Sequence, residues 1–548
     1  MCKETKKNEK NENFSEQIYG EEQLMTDDSK EIGIQLLKKG KQGIFRMVFS
    51  RSGLIIVLLT IQVLFLFSIF HRFEEFLPHI YGGVVIFTVF MVLYILNSSM
   101  DPTAKVTWLV IVMLLPVFGA LLFVYTQQDI GHRALRKRYA QLNKETEKSL
   151  KQDDDTEKKF KHENAGAEAL SRYVKRSGCY PVYENTAVTY FPLGEDKFKE
   201  MLIQLEKAEH FIFLEYFIVN EGRMWGKILE ILARKAKEGV DVRMLYDGTC
   251  ELSTLPHDYP KRLEKLGIKC KMFAPIKPFV STHYNYRDHR KILVIDGKTA
   301  FNGGINLADE YINAYEKHGH WKDTAVMVQG KAALSFTRMF LHMWFLDEKE
   351  TDFDSFLNMT VESYNEKGFV MPYGDCPLDK DKVGEQVYID MLNRAQKYVH
   401  IMTPYLILDG ELENALKYTA ERGVDVRIIL PGVPDKFIPF SLALTHYKSL
   451  LESGVKIYEY TPGFVHAKVF VCDDKEAVVG TINLDYRSLY HHFECATYMY
   501  GTGCIAQIKE DFKSTKGQCR EITTDIIKKE PFKRRFIGFV AKAVAPLL

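Results

Sequence analysis

Two short stretches carry the residues best suited to chemistry. The first is His289-Arg290-Lys291, with Asp296 after four more residues; the second is His466-Ala467-Lys468, with Asp473 at the same interval. Each leads into a glycine-bearing segment that ends in asparagine, Gly303-Gly304-Ile305-Asn306 and Gly480-Thr481-Ile482-Asn483. One His-x-Lys means little, but two with the same sequel are hard to obtain by chance. The apolar runs 292–295 and 469–472 are rich in β-branched residues and bounded by polar ones, so both read as buried strands. Residues two apart on a strand share a face, which puts His289 with Lys291 and His466 with Lys468. Asp296 and Asp473 fall an odd number of positions from their histidines and read as structural. The histidines, lysines and asparagines form the reactive set.

That set suits transfer of a phosphoryl-type group. Cations and amide donors stabilise charge where it develops on a five-coordinate phosphorus. One imidazole can attack phosphorus and form a phosphohistidine. The other can protonate the leaving alcohol and then deprotonate the incoming one. The lysines supply positive charge, so neither metal nor cofactor is expected.

These motifs resemble the paired HKD signatures of the phospholipase D superfamily. Supporting phrases, among them Thr403-Pro404-Tyr405, Gly463-Phe464-Val465-His466 and Asn483-Leu484-Asp485-Tyr486-Arg487-Ser488, are similar to those of bacterial cardiolipin synthases. The likeness runs from about residue 54 to the C-terminus. It implies a catalytic set of His289, Lys291, Asp296, His466, Lys468 and Asp473, with His289 as nucleophile. It implies phosphatidylglycerol as donor and acceptor, release of glycerol, and cardiolipin as product. Two departures are Cys250 and its neighbours, where Gly-Ser is common after Tyr246-Asp247-Gly248-Thr249, and Asn302 in place of a more usual threonine.

Supporting roles are expected for Asn306 and Asn483, and for two acids at comparable places after each motif, Asp323 and Glu494. A carboxylate on one ring nitrogen fixes a histidine's tautomer and leaves the other nitrogen reactive. Glu215, Tyr216 and Tyr405 lie at strand ends where a pocket would open, though packing explains them equally well.

The elements that must position these groups come in duplicate. A strand at 211–218, a helix at 225–237 and a strand at 239–245 recur as 399–405, 411–422 and 423–429. Gly239-Val240-Asp241-Val242-Arg243 reappears as Gly423-Val424-Asp425-Val426-Arg427, a glycine-capped helix end running into a strand. Strands alternating with helices mean an α/β fold. The expectation is two pseudo-symmetric phospholipase D-like lobes with one active site at their interface, preceded by transmembrane helices.

With 548 residues, more than one module is expected. Lys plus Arg (73) nearly equals Asp plus Glu (72), which argues against a nucleic-acid partner. Nine scattered cysteines without a C-x-x-C suit a reducing compartment. The pairs His318/His320 and His491/His492 lack cysteine partners at finger spacing.

Residues 1–50 form a polar tail expected to lack a packed core. Residues 51–126 hold three charge-free runs, 54–70, 80–96 and 106–125, each about 17 to 20 residues and near bilayer-spanning length. Basic clusters precede the first run and follow the third, placing both ends in the cytoplasm and demanding an even number of crossings. Either one run is interfacial or re-entrant, or the tail lies outside. A multi-pass cell-membrane protein with its catalytic region on the cytoplasmic side is expected. Residues 127–170 read as a charged connector, 171–360 and 361–518 as the two lobes. Residues 519–548 read as a basic amphipathic segment that lies on the membrane or packs on the lobes. The rivals to cardiolipin synthesis are a hydrolase or phosphatidylserine synthase of the same fold and, from a different class, a non-catalytic membrane scaffold.

Overall fold

The computed structural model describes Thr60, Leu64 and residues 77–127, 130–275 and 286–547. The polar tail and the apolar run 54–70 lie outside the described residues, apart from Thr60 and Leu64.

Three apolar helices open the described chain: α1 (Leu77–Leu96), α2 (Pro102–Leu114) and α3 (Pro116–Gln127). Asp101 caps α2 by accepting from the Thr103 and Ala104 amides. The run 106–125 is not one span. Leu115 leaves helical geometry (φ −132°, ψ 71°) ahead of Pro116, and α3 folds back so that Trp108 meets Phe123 edge-on at 5.3 Å. Proline disfavours helix in the residue before it, which places the break. Gly119 permits the close return, since a Cβ there would lie 2.7 Å from the Ile111 carbonyl oxygen. Thirteen residues of helix rise only about 20 Å, short of a hydrocarbon core of about 30 Å. Counted over residues whose side chains are described, which in α1 begin at Tyr81, no helix is long and apolar enough to cross a membrane. The described residues leave the expected spanning helices unconfirmed, and 106–125 is a helical hairpin.

The connector is helical and docked. In α4 (Ile130–Thr146), Arg138 donates to the carbonyls of Phe345 and Glu348, and the Thr146 hydroxyl meets His342 Nε2 at 2.7 Å. Helices α5 (Asp154–Glu163) and α6 (Ala165–Gly178) follow, and Phe160 is fully buried against Phe369.

The catalytic region is two sheets of matching topology. With β1 (Ala187–Phe191), β4 (Lys269–Phe273), β9 (Ala325–Gln329), β10 (Phe369–Asp375), β13 (Lys456–Tyr460) and β18 (Cys519–Glu521) at their flanks, the first runs β1-β9-β7-β6-β2-β3-β4 and the second β10-β17-β16-β15-β11-β12-β13-β18. The strands central to the first are β2 (Phe211–Tyr216), β3 (Asp241–Asp247), β6 (Lys291–Ile295) and β7 (Thr299–Gly303); their counterparts are β11 (Tyr398–Met402), β12 (Asp425–Pro431), β15 (Val469–Cys472) and β16 (Glu476–Gly480). β2 and β3 are parallel, as are β11 and β12, and each pair is joined by the expected helix, α7 (Arg223–Lys237) and α8 (Gly410–Glu421). Gly239 and Gly423 sit at φ +96° and +92°, the left-handed positions that end those helices.

The lobes are sewn together by two short parallel pairings. β8 (His320–Lys322) of the first lobe pairs with β14 (Gly463–Val465) of the second, and β5 (Arg287–Asp288) pairs with the start of β17 (His492–Tyr500).

The C-terminal helix α10 (Phe532–Lys542) packs on α9 (Phe437–Glu452) of the second lobe. Gly538 makes this contact possible, because any Cβ there would collide with the Ser441 carbonyl. Thr107 of α2 donates to the Ala543 carbonyl at 2.9 Å, tying the apolar hairpin to the chain end. Of the two alternatives for this segment, packing on the lobe is the one seen. One face is buried on the lobe, while Phe532 (78% exposed), Phe536, Phe539 (75%) and Val540 stay open.

Candidate active site

Each motif histidine sits just ahead of its strand, at the seam between lobes. The His289 amide donates to the Phe493 carbonyl at 3.0 Å, and the His466 amide donates to the Lys322 carbonyl at 2.7 Å. The residue after each of those carbonyls is the acid that holds the ring. Nδ1 of His289 lies 2.8 and 3.0 Å from the two carboxylate oxygens of Glu494, and Nδ1 of His466 lies 2.6 Å from Asp323. Each imidazole is thus held by a carboxylate of the opposite repeat. Neither Nε2 has a hydrogen-bond partner among the described residues.

The carboxylates are fixed in turn. Glu494 accepts from the Thr481 hydroxyl and, at 2.6 Å, from the Ser488 hydroxyl. Asp323 accepts from the Thr324 amide and packs against Gly304, where a Cβ would collide with its carboxylate. That packing explains the second glycine of Gly303-Gly304.

Lys291 and Lys468 are fully buried and share their histidines' face, as strand alternation requires. Lys291 Nζ donates to the His289 carbonyl at 2.5 Å, and Lys468 Nζ donates to the His466 carbonyl. Burial lowers all four groups; neighbouring positive charge adds to it at His289, His466 and Lys468, while nearby acids oppose it at Lys291. Lys291 is held at about 8, Lys468 at about 7 and His466 at about 4, with His289 well below its ordinary value. Both imidazoles are neutral near pH 7, Lys291 is mostly charged and Lys468 is poised near its midpoint, so an arriving anion would favour the charged form of both lysines.

Asp296 and Asp473 close each strand. Asp296 accepts from the amides of Glu209, His210 and Phe211, and Asp473 from those of Gln396, Lys397 and Tyr398. Both adopt left-handed backbone, φ +53° and +51°. They point away from the imidazoles and anchor the preceding strand.

The supporting residues divide. Asn306 accepts from the Ile218 amide and donates to the Tyr311 hydroxyl, whose ring lies 5.4 Å from that of His466. Asn483 donates to Asp485 at 3.3 Å, and its buried Oδ1 has no partner among the described residues. Tyr405 donates to Asp435 at 2.6 Å and lines an apolar crevice with Pro404, Pro431 and Phe464. Glu215 is not at a pocket mouth. It pairs across the sheet with Ile292, so it shares that residue's face and not that of Lys291, and it lies fully buried 3.7 Å from Arg290. Tyr216, opposite Lys291, shares the lysine's face.

Two groups escaped the sequence. Lys197 is completely buried, donates to the Tyr216 hydroxyl and Ile305 carbonyl, and is lowered to about 7, chiefly by burial. A single lysine on an amphipathic helix gives no signal of this. His492, which the sequence offered only in a pair without metal-ligand partners, is the other: its ring lies 5.2 Å from that of His289. With His289 and Glu494 it forms a trio that could hold a metal ion. The electrostatics oppose that use, because Lys291, Lys468 and Lys436 all add positive charge there and Glu494 is already committed to three donors.

Similarity to known proteins bears on the family and the fold. The family described as cardiolipin synthase, phospholipase D-like domain, matches residues 201–344 and 388–516, and a phospholipase D-nuclease N-terminal family matches 86–125. The crystal structure of phosphatidylserine synthase from Haemophilus influenzae Rd KW20 superposes with a TM-score of 0.51 at 16% identity, covering 66% of this chain and 95% of that one, a likeness of fold alone. Fold and paired motifs together define an enzyme of the phospholipase D type. The chain is 33% identical over 473 residues to a cardiolipin synthase of Alkalihalophilus pseudofirmus, spanning 85% of this chain and 93% of that one. It is 32% identical over 453 residues to cardiolipin synthase 2 of Bacillus cereus (82% and 88%). An uncharacterized protein of Streptococcus mutans is 58% identical over 457 residues (83% and 99%). The chain belongs to the cardiolipin synthase family.

Proposed function

We propose that the protein transfers a phosphatidyl group from one phosphatidylglycerol to a second at the membrane surface, releasing glycerol and forming cardiolipin. His289 Nε2 attacks phosphorus. The bond from phosphorus to the headgroup glycerol oxygen breaks, and that oxygen takes the Nε2 proton of His466, which enters this step as the imidazolium after binding a proton from solvent beside Asp323 and the anionic lipid, and leaves it neutral. The glycerol hydroxyl of the second lipid then gives its proton to His466 and attacks the phosphohistidine, and the phosphorus–nitrogen bond breaks. Lys291 and Lys468 face the negative charge of each five-coordinate state, and Asn306 and Asn483 frame it. Glu494 and Asp323 hold the two rings as Nδ1–H tautomers and stabilise whichever becomes an imidazolium. The observation that carries this reading is the pair of neutral imidazoles, each oriented through Nδ1 by an acid of the other repeat with Nε2 left free.

Membrane attachment is supported by the open apolar faces of α1 to α3 and α10, including Ile86 (73% exposed), Leu114 (74%) and Phe539. The basic residues Lys533 and Arg535 beside them suit anionic headgroups. Together with the basic flanks of 51–126, this favours a catalytic region on the cytoplasmic face.

The test is incubation of the full-length protein with labelled phosphatidylglycerol in mixed micelles, followed by thin-layer chromatography. Cardiolipin and free glycerol in equal amounts are expected. Phosphatidic acid as sole lipid product would replace this reading with hydrolysis.

A further inference from the structure

A second group of basic side chains lies beside the reaction centre and takes no part in the chemistry described above. Its members are His492, Arg487 and Arg287. His492 is more than nine-tenths buried, and neither ring nitrogen has a hydrogen-bond partner among the described residues; its closest acid is Glu494, 3.6 Å away and already engaged. A buried donor left without a partner carries a free-energy penalty unless something supplies one. The side chain of Arg487, on the one-turn helix Tyr486–Tyr490, is half-buried and makes no hydrogen bond or ion pair among the described residues. Its charge is felt by His492, and its own charged neighbours are Asp485, Arg287 and Asp247. Both acids are occupied. Asp485 caps the Ser488 amide and accepts from Asn483, while Asp247 accepts from the amides of Thr249 and Asp288 and lies 3.5 Å from Arg287 Nη1. Arg287 also donates to the Ala274 carbonyl at 2.9 Å. Neither acid is left to pair with the guanidinium of Arg487.

Spacing fits a second phosphate. Arg287 and His289 are two residues apart on extended chain, hence about 7 Å apart on one face. Two phosphorus atoms joined through the outer oxygens of one glycerol are six bonds apart, about 7 Å at ordinary bond lengths when extended. The position is also on the lipid side: Tyr486, next to Arg487, packs in a buried cluster with Ala541 and Ala545 of the C-terminal segment.

We infer that Arg487 and His492, framed by Arg287, form a binding site for the phosphodiester of the acceptor lipid, about one glycerol length from the phosphorus being transferred. This rests on the phosphatidyl-transfer reading and adds what that reading lacks, a reason for an anionic lipid to outcompete water and uncharged alcohols. Planar guanidinium donors suit phosphate oxygens, and His492 would give the acceptor its remaining hydrogen bond.

The test reads a ratio. Full-length protein is given labelled phosphatidylglycerol with ethanol present, and cardiolipin is compared with phosphatidylethanol from the same incubation. Formation of the phosphohistidine is common to both products and cancels. Arg487→Gln and His492→Phe should each lower the ratio about ten- to a hundredfold, the loss of one charge-assisted or buried hydrogen bond. An unchanged ratio, with both products falling together or neither falling, overturns the inference. Should either variant fail to fold, the unmodified protein decides: glycerol 1-phosphate should capture the phosphatidyl group at concentrations about tenfold below those needed for glycerol, an advantage that fades with salt. Equal capture of the two overturns the inference. A protein that yields only phosphatidic acid under all conditions refutes the transfer reading itself, a separate result.

Discussion

The crossed pairing of imidazoles and acids makes a prediction about which variants behave alike. Glu494 is distant from His289 in sequence but holds its Nδ1 at 2.8 Å, and Asp323 holds His466 at 2.6 Å. Replacing either acid by its amide keeps an acceptor for Nδ1–H but removes the charge that stabilises the imidazolium. With charge centres about 4 Å apart and an effective dielectric of about 20, that interaction is about 4 kcal/mol, or about three orders of magnitude in rate. The step affected should follow the ring, not the repeat. With phosphatidylglycerol, Glu494→Gln, Asp323→Asn, His289→Ala and His466→Ala should all lose at least a thousandfold. With a phosphatidyl donor carrying p-nitrophenol, which leaves without being protonated, the general acid becomes dispensable for phosphohistidine formation. His466→Ala and Asp323→Asn should then release p-nitrophenol in a burst that His289→Ala and Glu494→Gln lack. Should His466 be the nucleophile, the two pairs exchange behaviour but remain the same pairs. Rescue of Glu494→Gln together with His466→Ala, or a Glu494→Gln enzyme within about tenfold of normal, would refute the crossed pairing.

Other expectations concern stability, pH and the membrane. Asp296→Ala or Asp473→Ala strands three backbone amides and should destabilise its lobe by about 3 kcal/mol, seen as an earlier denaturant midpoint, with KM unchanged in the folded fraction. Lys468 and Lys291 act as cations and are held at about 7 and about 8. Their charge is present at lower pH and lost as pH rises through those values, so kcat/KM should fall across pH 7 to 8 instead of near the ordinary lysine value of about 10.4. Lys468→Arg should lower the rate and move that limb upward. Phe536→Glu with Phe539→Glu should reduce turnover on anionic vesicles relative to detergent micelles about tenfold or more, since each phenyl ring contributes about 2 kcal/mol when buried; an unchanged ratio would show that α10 does not touch lipid.

Much of the sheet architecture was legible because local sequence dictates it. The repeated Gly-Val-Asp-Val-Arg places a left-handed glycine at the end of each crossover helix, and period-two patterning sets His and Lys on one face. The odd spacing of Asp296 and Asp473 likewise revealed that they turn away. What stayed hidden depends on contacts between distant parts of the chain. Nothing in the order of residues says that Glu494 serves His289 and not His466, since that follows from β5 pairing with β17 across the seam. Of the two readings open for Glu215, packing is the one met, because its face is set by its cross-strand neighbour, Ile292. The hairpin in 106–125 was half visible: Pro116 and Gly119 mark a break, but only the packing of Trp108 on Phe123 shows that the chain turns back.

The seam also constrains how substrates come and go. Both imidazoles draw their orientation, and their backbone hydrogen bonds, from across the boundary. A hinge that parted the halves would therefore disarm both at the same moment. Reactants thus have to be exchanged without parting the two halves, while the catalytic groups stay where they are.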